Sequence, residues 1–175
     1  MKRAIIAISL AAATAACSTY GDADMADAAP AAGTATAELR DRAGVVKASG
    51  SATQVGTGIR VSLTAMNMPQ GTYAAHVHTT GRCDAPDFTT AGPHWNPTGA
   101  QHGKDNPQGM HKGDLPNLLV GTDGRGSIEY TIQNSDLASM LDADGASLVI
   151  HASADDYRTD PSGNSGGRIA CGVFG

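Results

Sequence analysis

Apolar and polar residues alternate with a period of two in three separate segments of the chain. The apolar positions of these segments are Ala35, Ala37 and Leu39, then Ile59, Val61 and Leu63, and finally Ile128, Tyr130 and Ile132. A short apolar run follows at Leu148–Ile150 and ends in His151. Turn-forming residues, such as those at 69–71 and 123–126, separate the segments. Since strands buried on one face have this period, the pattern predicts an all-β fold, an antiparallel sandwich or barrel.

Two segments are too long to be ordinary connections between such strands. They cover residues 79–115 and 152–168. Loops of this length inside a compact domain usually carry function and need something to hold them in place. Only residues 135–141 favour a helix, and that helix has one or two turns. Function is therefore expected in the two long loops.

Three of the six histidines lie on predicted strands. His76 and His78 are two residues apart, so both imidazoles point to the same face of their strand. His151 ends a short apolar strand. Taken separately, a His-x-His pair fits an exposed polar face as well as a metal site, and His151 fits a half-buried imidazole that bonds to its surroundings.

The first long loop contains the other three histidines. These are His94, His102 and His111, and Asp114 follows three residues after the last. Three imidazoles and one carboxylate form the mixed nitrogen and oxygen set that suits tetrahedral zinc. Because all six histidines fall where metal ligands are expected, the pattern favours metal binding over six unrelated explanations.

The N-terminus has the layout of a secretory signal at residues 1–16. A basic start, Met1–Arg3, precedes an uncharged run that ends in small residues before Cys17. The sequence 14–17 resembles a bacterial lipoprotein signal, in which the cysteine carries lipid, and a plain secreted protein is the alternative. Ser18 after the cysteine favours the outer membrane over the inner one. Residues 17–33 then form a lipidated, flexible tether, because their Ala-, Asp- and Gly-rich composition offers little to bury.

Composition and charge narrow the remaining function classes. The net charge is −5, with no cluster of Lys and Arg, so nucleic-acid binding is excluded. The 22 glycines and 8 prolines argue against a bundle of long helices. Residues 34–175 form the single folded domain expected from these patterns.

The order and spacing of several motifs resemble the copper/zinc superoxide dismutases. The resemblance covers about residues 33–175, and its motifs are His76–His78, Gly92–Pro97, His102–Gly103, His111–Leu115, His151–Asp156 and Gly167–Val173. It implies an eight-stranded antiparallel Greek-key β-barrel with an Ig-like sandwich arrangement and two long functional loops. It also implies one copper ion and one zinc ion per subunit.

The resemblance further implies a role for individual residues. The copper ligands would be His76, His78, His94 and His151. The zinc ligands would be His94, which bridges both metals, with His102, His111 and Asp114. Asp155 would link the free nitrogens of His76 and His102, and Arg168 would stand beside the open copper position. Cys83 and Cys171 would form a disulfide, which agrees with three cysteines of which one carries lipid.

The implied reaction converts two superoxide anions to dioxygen and hydrogen peroxide by alternate reduction and oxidation of copper, with Arg168 and His94 as the catalytic residues. A non-catalytic copper- and zinc-binding protein of the same fold is the main alternative. An adhesion-type sandwich leaves all six histidines unexplained. The expected location is the cell envelope or periplasm, with a membrane anchor at Cys17, and a homodimer and a monomer both remain open.

Overall fold

A computed structural model describes residues 33–175, and the signal-like segment, Cys17 and the tether up to residue 32 lie outside them. The strands are β1 Thr34–Arg40, β2 Val46–Val55, β3 Gly58–Ala65, β4 Gly71–Tyr73, β5 Ala75–His78, β6 Leu118–Val120, β7 Gly126–Ile132, β8 Ser147–His151 and β9 Arg168–Val173. One short helix, α1, covers Leu137–Met140. None of the helices described within residues 33–175 has the length and apolar character to cross a membrane.

All strand pairs are antiparallel, and together they form a curled barrel. The main sheet has the order β5-β8-β9-β1-β2-β3-β7, and a smaller sheet pairs β4 with β6. A tight turn links β6 to β7, where Gly121 N–H donates to Arg125 O at 2.8 Å. The predicted all-β Greek-key barrel is therefore confirmed.

Nine strand segments occur in residues 33–175, where the resemblance implied eight. The reason is a change of partner at Ala74, which separates β4 from β5. β4 pairs with β6, whereas β5 pairs with β8. Ala74 itself bonds to the end of β8 and to the chain just after it, since its carbonyl accepts from His151 N–H and its N–H donates to Ser153 O. One continuous strand thus joins the two sheets, and counting it once gives the expected eight.

The barrel core includes most of the residues in the alternating pattern. In β1 exposed and buried positions alternate without exception, with Ala35, Ala37 and Leu39 inside. Ile59, Val61 and Leu63 of β3 are fully buried, while Ile128 and Tyr130 of β7 are only half-buried. β8 is buried along its whole length because the barrel core covers one face and the long loops cover the other.

The helix forms at the place expected from the sequence and is one turn long. It begins after Asp136, whose side chain accepts hydrogen bonds from Ala138 N–H at 2.6 Å and Ser139 N–H at 3.3 Å. A carboxylate in this position satisfies backbone donors that have no partner within the helix. Leu137 and Met140 anchor it to the core.

Candidate metal centre

Strand β5 carries the centre of the site. His76 and His78 lie on it two residues apart and are both fully buried. The first long loop runs beside this strand, because Val77 N–H donates to Gly113 O at 2.9 Å and Trp95 N–H donates to Val77 O at 2.8 Å. A Cβ at Gly113 would overlap Val77 O, so glycine allows this close approach.

The strand pairings bring four of the six predicted histidines and Asp114 together. Isolated bridges place His94 opposite His78 and Asp114 opposite His76. His151 ends β8, which pairs with β5. The pairing of β5 with β8 makes residues as far apart as 76 and 151 neighbours, with ring centroids of His76 and His151 4.8 Å apart.

Four histidines form the first half of the centre. One nitrogen from each of His76, His78, His94 and His151 lies within 4.8 Å of the others. The Nε2 atoms of His78 and His151 are 3.4 Å apart. Two nitrogens in this group, His76 Nδ1 and His94 Nε2, are buried without a hydrogen-bond partner.

These two orphaned nitrogens test whether the residues fit a metal ion. A buried polar atom without a partner costs about 1–3 kcal/mol, so such atoms are rare in folded proteins. A bound cation would accept both lone pairs and remove that cost. A site with four imidazoles and no carboxylate suits copper, for which imidazole is a good ligand. The residues fit the implied copper ion.

Asp114 organises the second half of the centre. Its Oδ1 lies 2.9 Å from His94 Nδ1, 3.0 Å from His102 Nδ1 and 3.2 Å from His111 Nδ1. Its Oδ2 accepts backbone hydrogen bonds from Gly103 at 2.9 Å and His111 at 3.0 Å. The three Nδ1 atoms and one carboxylate oxygen therefore converge on one point, and this donor set fits tetrahedral zinc.

Distance alone groups this half slightly differently from the expected ligand set. Atoms of His76, His94, His102 and Asp114 lie within 4.8 Å of one another, and His111 is not in that group. His76 already turns Nε2 to Asp155, whereas His111 Nδ1 lies 3.3 Å from His94 Nδ1. We therefore retain His111 in the second half on the direction of its nitrogen.

Asp155 connects the two halves on the side that faces away from the predicted metal positions. Its Oδ2 lies 2.9 Å from His76 Nε2, and its Oδ1 lies 2.9 Å from His102 Nε2. A carboxylate in this position holds the proton on each Nε2, which leaves the Nδ1 lone pairs facing inward. The structure thus places Asp155 in the linking position expected from the sequence.

Asn117 supports Asp155 and was not found by sequence reasoning. Its side-chain oxygen accepts from Asp155 N–H at 2.8 Å, and its amide nitrogen donates to Asp155 O at 2.9 Å. Its backbone N–H donates to the Tyr157 hydroxyl at 2.7 Å. A single asparagine three residues after Asp114 carries no motif that indicates this contact, because it depends on the fold of the second loop.

Burial keeps most of the imidazoles neutral. Desolvation lowers the pKa of His94 to about 4 and that of His151 to about 3. It also lowers the pKa of His76 and, more strongly, that of His78. A neutral imidazole has a lone pair available for a metal ion.

The pKa values of His102, Asp114 and Asp155 are set by the hydrogen bonds between these residues, which outweigh the effect of burial. Burial opposes protonation of His102, but hydrogen bonds with Asp114 and Asp155 outweigh it and raise its pKa to about 9. Burial alone would raise the pKa of Asp114 and of Asp155, but the hydrogen bonds of these carboxylates to the histidines lower both pKa values. Both carboxylates are therefore ionised although buried, and the charge of Asp114 favours a cation where its Oδ1 meets the three Nδ1 atoms.

Arg168 stands beside the histidines at the start of β9, paired with His151 across the sheet. Its Nη1 donates to Phe88 O and its Nη2 to Gly92 O, each at 2.6 Å. Gly92 O also lies 2.8 Å from His78 Nδ1. One carbonyl therefore fixes both the guanidinium and a predicted copper ligand. Burial lowers the pKa of Arg168, which is half-buried.

An open cleft of about 740 Å³ leads to these residues. Its lining includes His78, His94, His111, His151 and Arg168. His76 and His102 lie deeper and do not line it. Three of the four predicted copper ligands and the predicted zinc ligand His111 are thus reached from solvent beside Arg168.

The structure contains a disulfide between Cys83 and Cys171, the pair that the resemblance implied. It joins the first long loop to β9, the strand that also carries Arg168. The bridge packs in a small apolar cluster with Phe88, Ala91 and Val149. This cluster secures the segment whose carbonyls hold Arg168.

Comparison with known proteins agrees with this geometry. The sequence model of the family described as "Copper/zinc superoxide dismutase (SODC)" matches residues 42–174. This chain belongs to the copper/zinc superoxide dismutase family. Superoxide dismutase [Cu-Zn] 1 of Aquifex aeolicus is 39% identical over 150 residues, which cover 78% of this chain and 88% of that relative.

Solved structures of the copper/zinc superoxide dismutase family give the same fold. The Cu/Zn superoxide dismutase from Brucella abortus matches with a TM-score of 0.63 at 26% identity, covering 81% of this chain and 99% of that one. A SOD-like protein from Bacillus subtilis matches with a TM-score of 0.73 at 38% identity, covering 79% of this chain and 96% of that one. Relatives described as dismutases and as dismutase-like therefore both resemble this chain.

Proposed function

We propose that this chain is an active superoxide dismutase that binds one copper ion and one zinc ion. In the reaction, one superoxide gives up an electron and becomes dioxygen, and a second takes up an electron and two protons to become hydrogen peroxide. The observation that carries the proposal is the pair of buried, unpartnered nitrogens, His76 Nδ1 and His94 Nε2, beside an open cleft.

The two halves of the centre divide the metal ligands. His76, His78, His94 and His151 would hold copper, and His94, His102, His111 and Asp114 would hold zinc. Copper supplies the reversible one-electron change, whereas zinc has no redox step and contributes fixed positive charge. His94 is the residue common to both sets, since its Nδ1 faces Asp114 and its Nε2 faces the other histidines. Its imidazole would also hold a proton at Nε2 and deliver it to the substrate.

Arg168 would bind and orient the substrate. Two of its donors are committed to Phe88 O and Gly92 O, which fixes the guanidinium plane and leaves its other donors for an anion. A guanidinium is a rigid, permanently charged fork, so it suits a small anion that must be held in one orientation. The net charge of −5 does not oppose this role, because the local field in a cleft governs the approach of a charged substrate.

Metal analysis combined with a superoxide-consumption assay on the purified protein tests the proposal. We expect about one copper and one zinc per chain, with rapid superoxide consumption that is lost on chelation and restored by copper. Arg60→Ala is a control that should leave the rate unchanged, because Arg60 is an exposed residue of β3 whose one ion pair within residues 33–175 is with Glu129, and it does not line the cleft. Tight binding of both metals without turnover would replace the enzyme by the non-catalytic metal-binding protein.

We also propose that the protein resides in the cell envelope, tethered to the outer membrane through lipid on Cys17. This proposal rests on the signal-like residues 1–16 and on the small residues before the cysteine. Fractionation of cells that express the full chain, with and without globomycin-type inhibition of lipoprotein processing, tests it. Recovery of the unprocessed chain in the cytoplasm without the inhibitor would contradict it.

A further inference from the structure

Asp160 belongs to the second long loop and contacts two residues of the first. Its Oδ1 accepts a hydrogen bond from His102 N–H at 2.6 Å and lies 3.8 Å from His111 Nε2. The Asp160 side chain is 47% exposed, whereas that of His111 is 8% exposed. Neither the family resemblance nor the proposed reaction gives Asp160 a role.

The other histidines of the centre show why this contact matters. Each nitrogen that faces away from the metal positions has an acceptor: Asp155 for His76 and His102, Gly92 O for His78, and Gly166 O for His151. Such outer partners fix the tautomer and orientation of a ligand imidazole. His94 has no outward nitrogen, because both of its nitrogens face predicted metal positions.

His111 is the remaining histidine. Within residues 33–175 its Nε2 makes no direct hydrogen bond, and the carboxylate facing it is that of Asp160. At 3.8 Å the contact is an electrostatic attraction and not a hydrogen bond. It favours the tautomer with the proton on Nε2, so the Nδ1 lone pair points to the position beside Asp114.

We propose that Asp160 is a positioning residue for the zinc half of the centre. It joins the two long loops through His102 N–H and orients His111 through its charge. The proposal rests on the proposed function in that it assigns zinc to this half. It goes further by naming the residue that completes the outer contacts of the zinc ligands.

The same carboxylate has an opposite effect on the substrate. Among the described residues that line the cleft, Arg168 is the only Lys or Arg and Asp160 the only Asp or Glu. A negative charge at the mouth of a cleft repels an incoming anion. Removal of this charge should therefore weaken zinc binding and, in zinc-saturated protein, increase the rate with superoxide. A merely structural residue would not change the two quantities in opposite directions.

Three variants of the full chain separate these contributions. Asp160→Asn keeps an oxygen that accepts from His102 N–H but removes the charge, and Asp160→Ala removes both. Asp105→Asn is the matched control, because Asp105 is in the first loop, pairs with exposed Lys104 and does not line the cleft. Zinc affinity is measured by competition with a chromophoric chelator, and Co²⁺ placed in the zinc half reports ligand geometry through its visible spectrum.

We expect about 10-fold weaker zinc binding in Asp160→Asn and up to about 100-fold in Asp160→Ala, which is the usual range for outer partners of metal ligands. The cobalt spectrum should change in both, and Asp105→Asn should match the wild type in affinity and spectrum. Wild-type zinc affinity and an unchanged cobalt spectrum in Asp160→Asn would overturn the orienting role. Absence of superoxide turnover in every protein would reject the proposed function, while the zinc and cobalt measurements would still decide the role of Asp160.

Discussion

Removal of the Cys83–Cys171 disulfide should lower both the stability of the domain and the rate of the reaction. The substitution Cys83→Ser changes the half-buried partner and leaves Cys171 in its buried position, so little packing is lost. A Cys17→Ser background prevents Cys171 from pairing with the remaining cysteine. The bridge links residues 88 positions apart.

The expected size of the stability effect follows from that separation. Closing a loop of this length restricts the unfolded chain by about 4.6 kcal/mol in the chain-entropy estimate, and measured effects are typically about 2–4 kcal/mol. A domain of ~140 residues has an unfolding entropy of about 2.1 cal/mol/K per residue. A loss of about 2–4 kcal/mol therefore lowers Tm by roughly 7–14 °C.

Thermal unfolding of metal-free protein measures this effect without the extra stability that bound metal adds. The control is the Cys17→Ser protein with and without reductant. Reduction should lower its Tm to that of the Cys83→Ser protein, and reductant should leave the latter unchanged. Equal Tm values for the oxidised and reduced control would refute the stabilising role of the bridge.

The effect on the reaction has a separate cause. The bridge packs against Phe88, whose carbonyl accepts from Arg168 Nη1. A looser loop would hold the guanidinium less firmly, so the rate should fall even when both metals are restored in full. A metal-replete Cys83→Ser protein with the wild-type rate would show that the Arg168 contacts persist without the disulfide.

The other predictions concern the anion, the metals and the anchor. Arg168→Ala should keep both metals, but its rate with superoxide should be roughly 10-fold or more lower and should depend less on salt concentration. Arg168→Lys should recover part of the rate, and an unchanged Arg168→Ala rate at full metal content would refute the role of Arg168. His151→Ala should lose copper and activity but retain zinc, whereas Asp114→Ala should lose zinc first; retention of both metals in both variants by elemental analysis would contradict the ligand assignment. Cys17→Ser should move the protein to the soluble envelope fraction at the same specific activity, and unchanged membrane fractionation would argue against lipid at that position.

The barrel strands could be predicted because their signal is local. Leu39 and Val61 are buried in strands whose alternation is visible in a few neighbouring residues. The change of partner at Ala74 could not be predicted, since it depends on two strands, β6 and β8, that are distant in the sequence. Local alternation fixes which face of a strand is buried, but not which strand lies beside it.

In the site, too, the residue types could be predicted from the sequence, whereas the contacts that hold them could not. The histidines and Asp114 could be predicted because together they form a set of metal ligands. The supports of these residues use common groups: the carbonyl of Gly92, the amide of Asn117 and one of several acidic side chains, Asp160. Such groups acquire a role only when the two loops fold against each other, so the sequence pattern gives no signal for them.

The backbone contacts of the glycines determine how the cleft can be redesigned. A Cβ at Gly113 would overlap Val77 O, and one at Gly103, which has a φ of 98°, would overlap Tyr157 O. At both glycines the main chain therefore packs directly against another stretch of main chain. No side chain can be shortened at these two positions to enlarge the cleft. An engineered cleft for a bulkier anion would have to change side chains at the mouth, such as Gln101 and Ser162, while keeping the length of both loops.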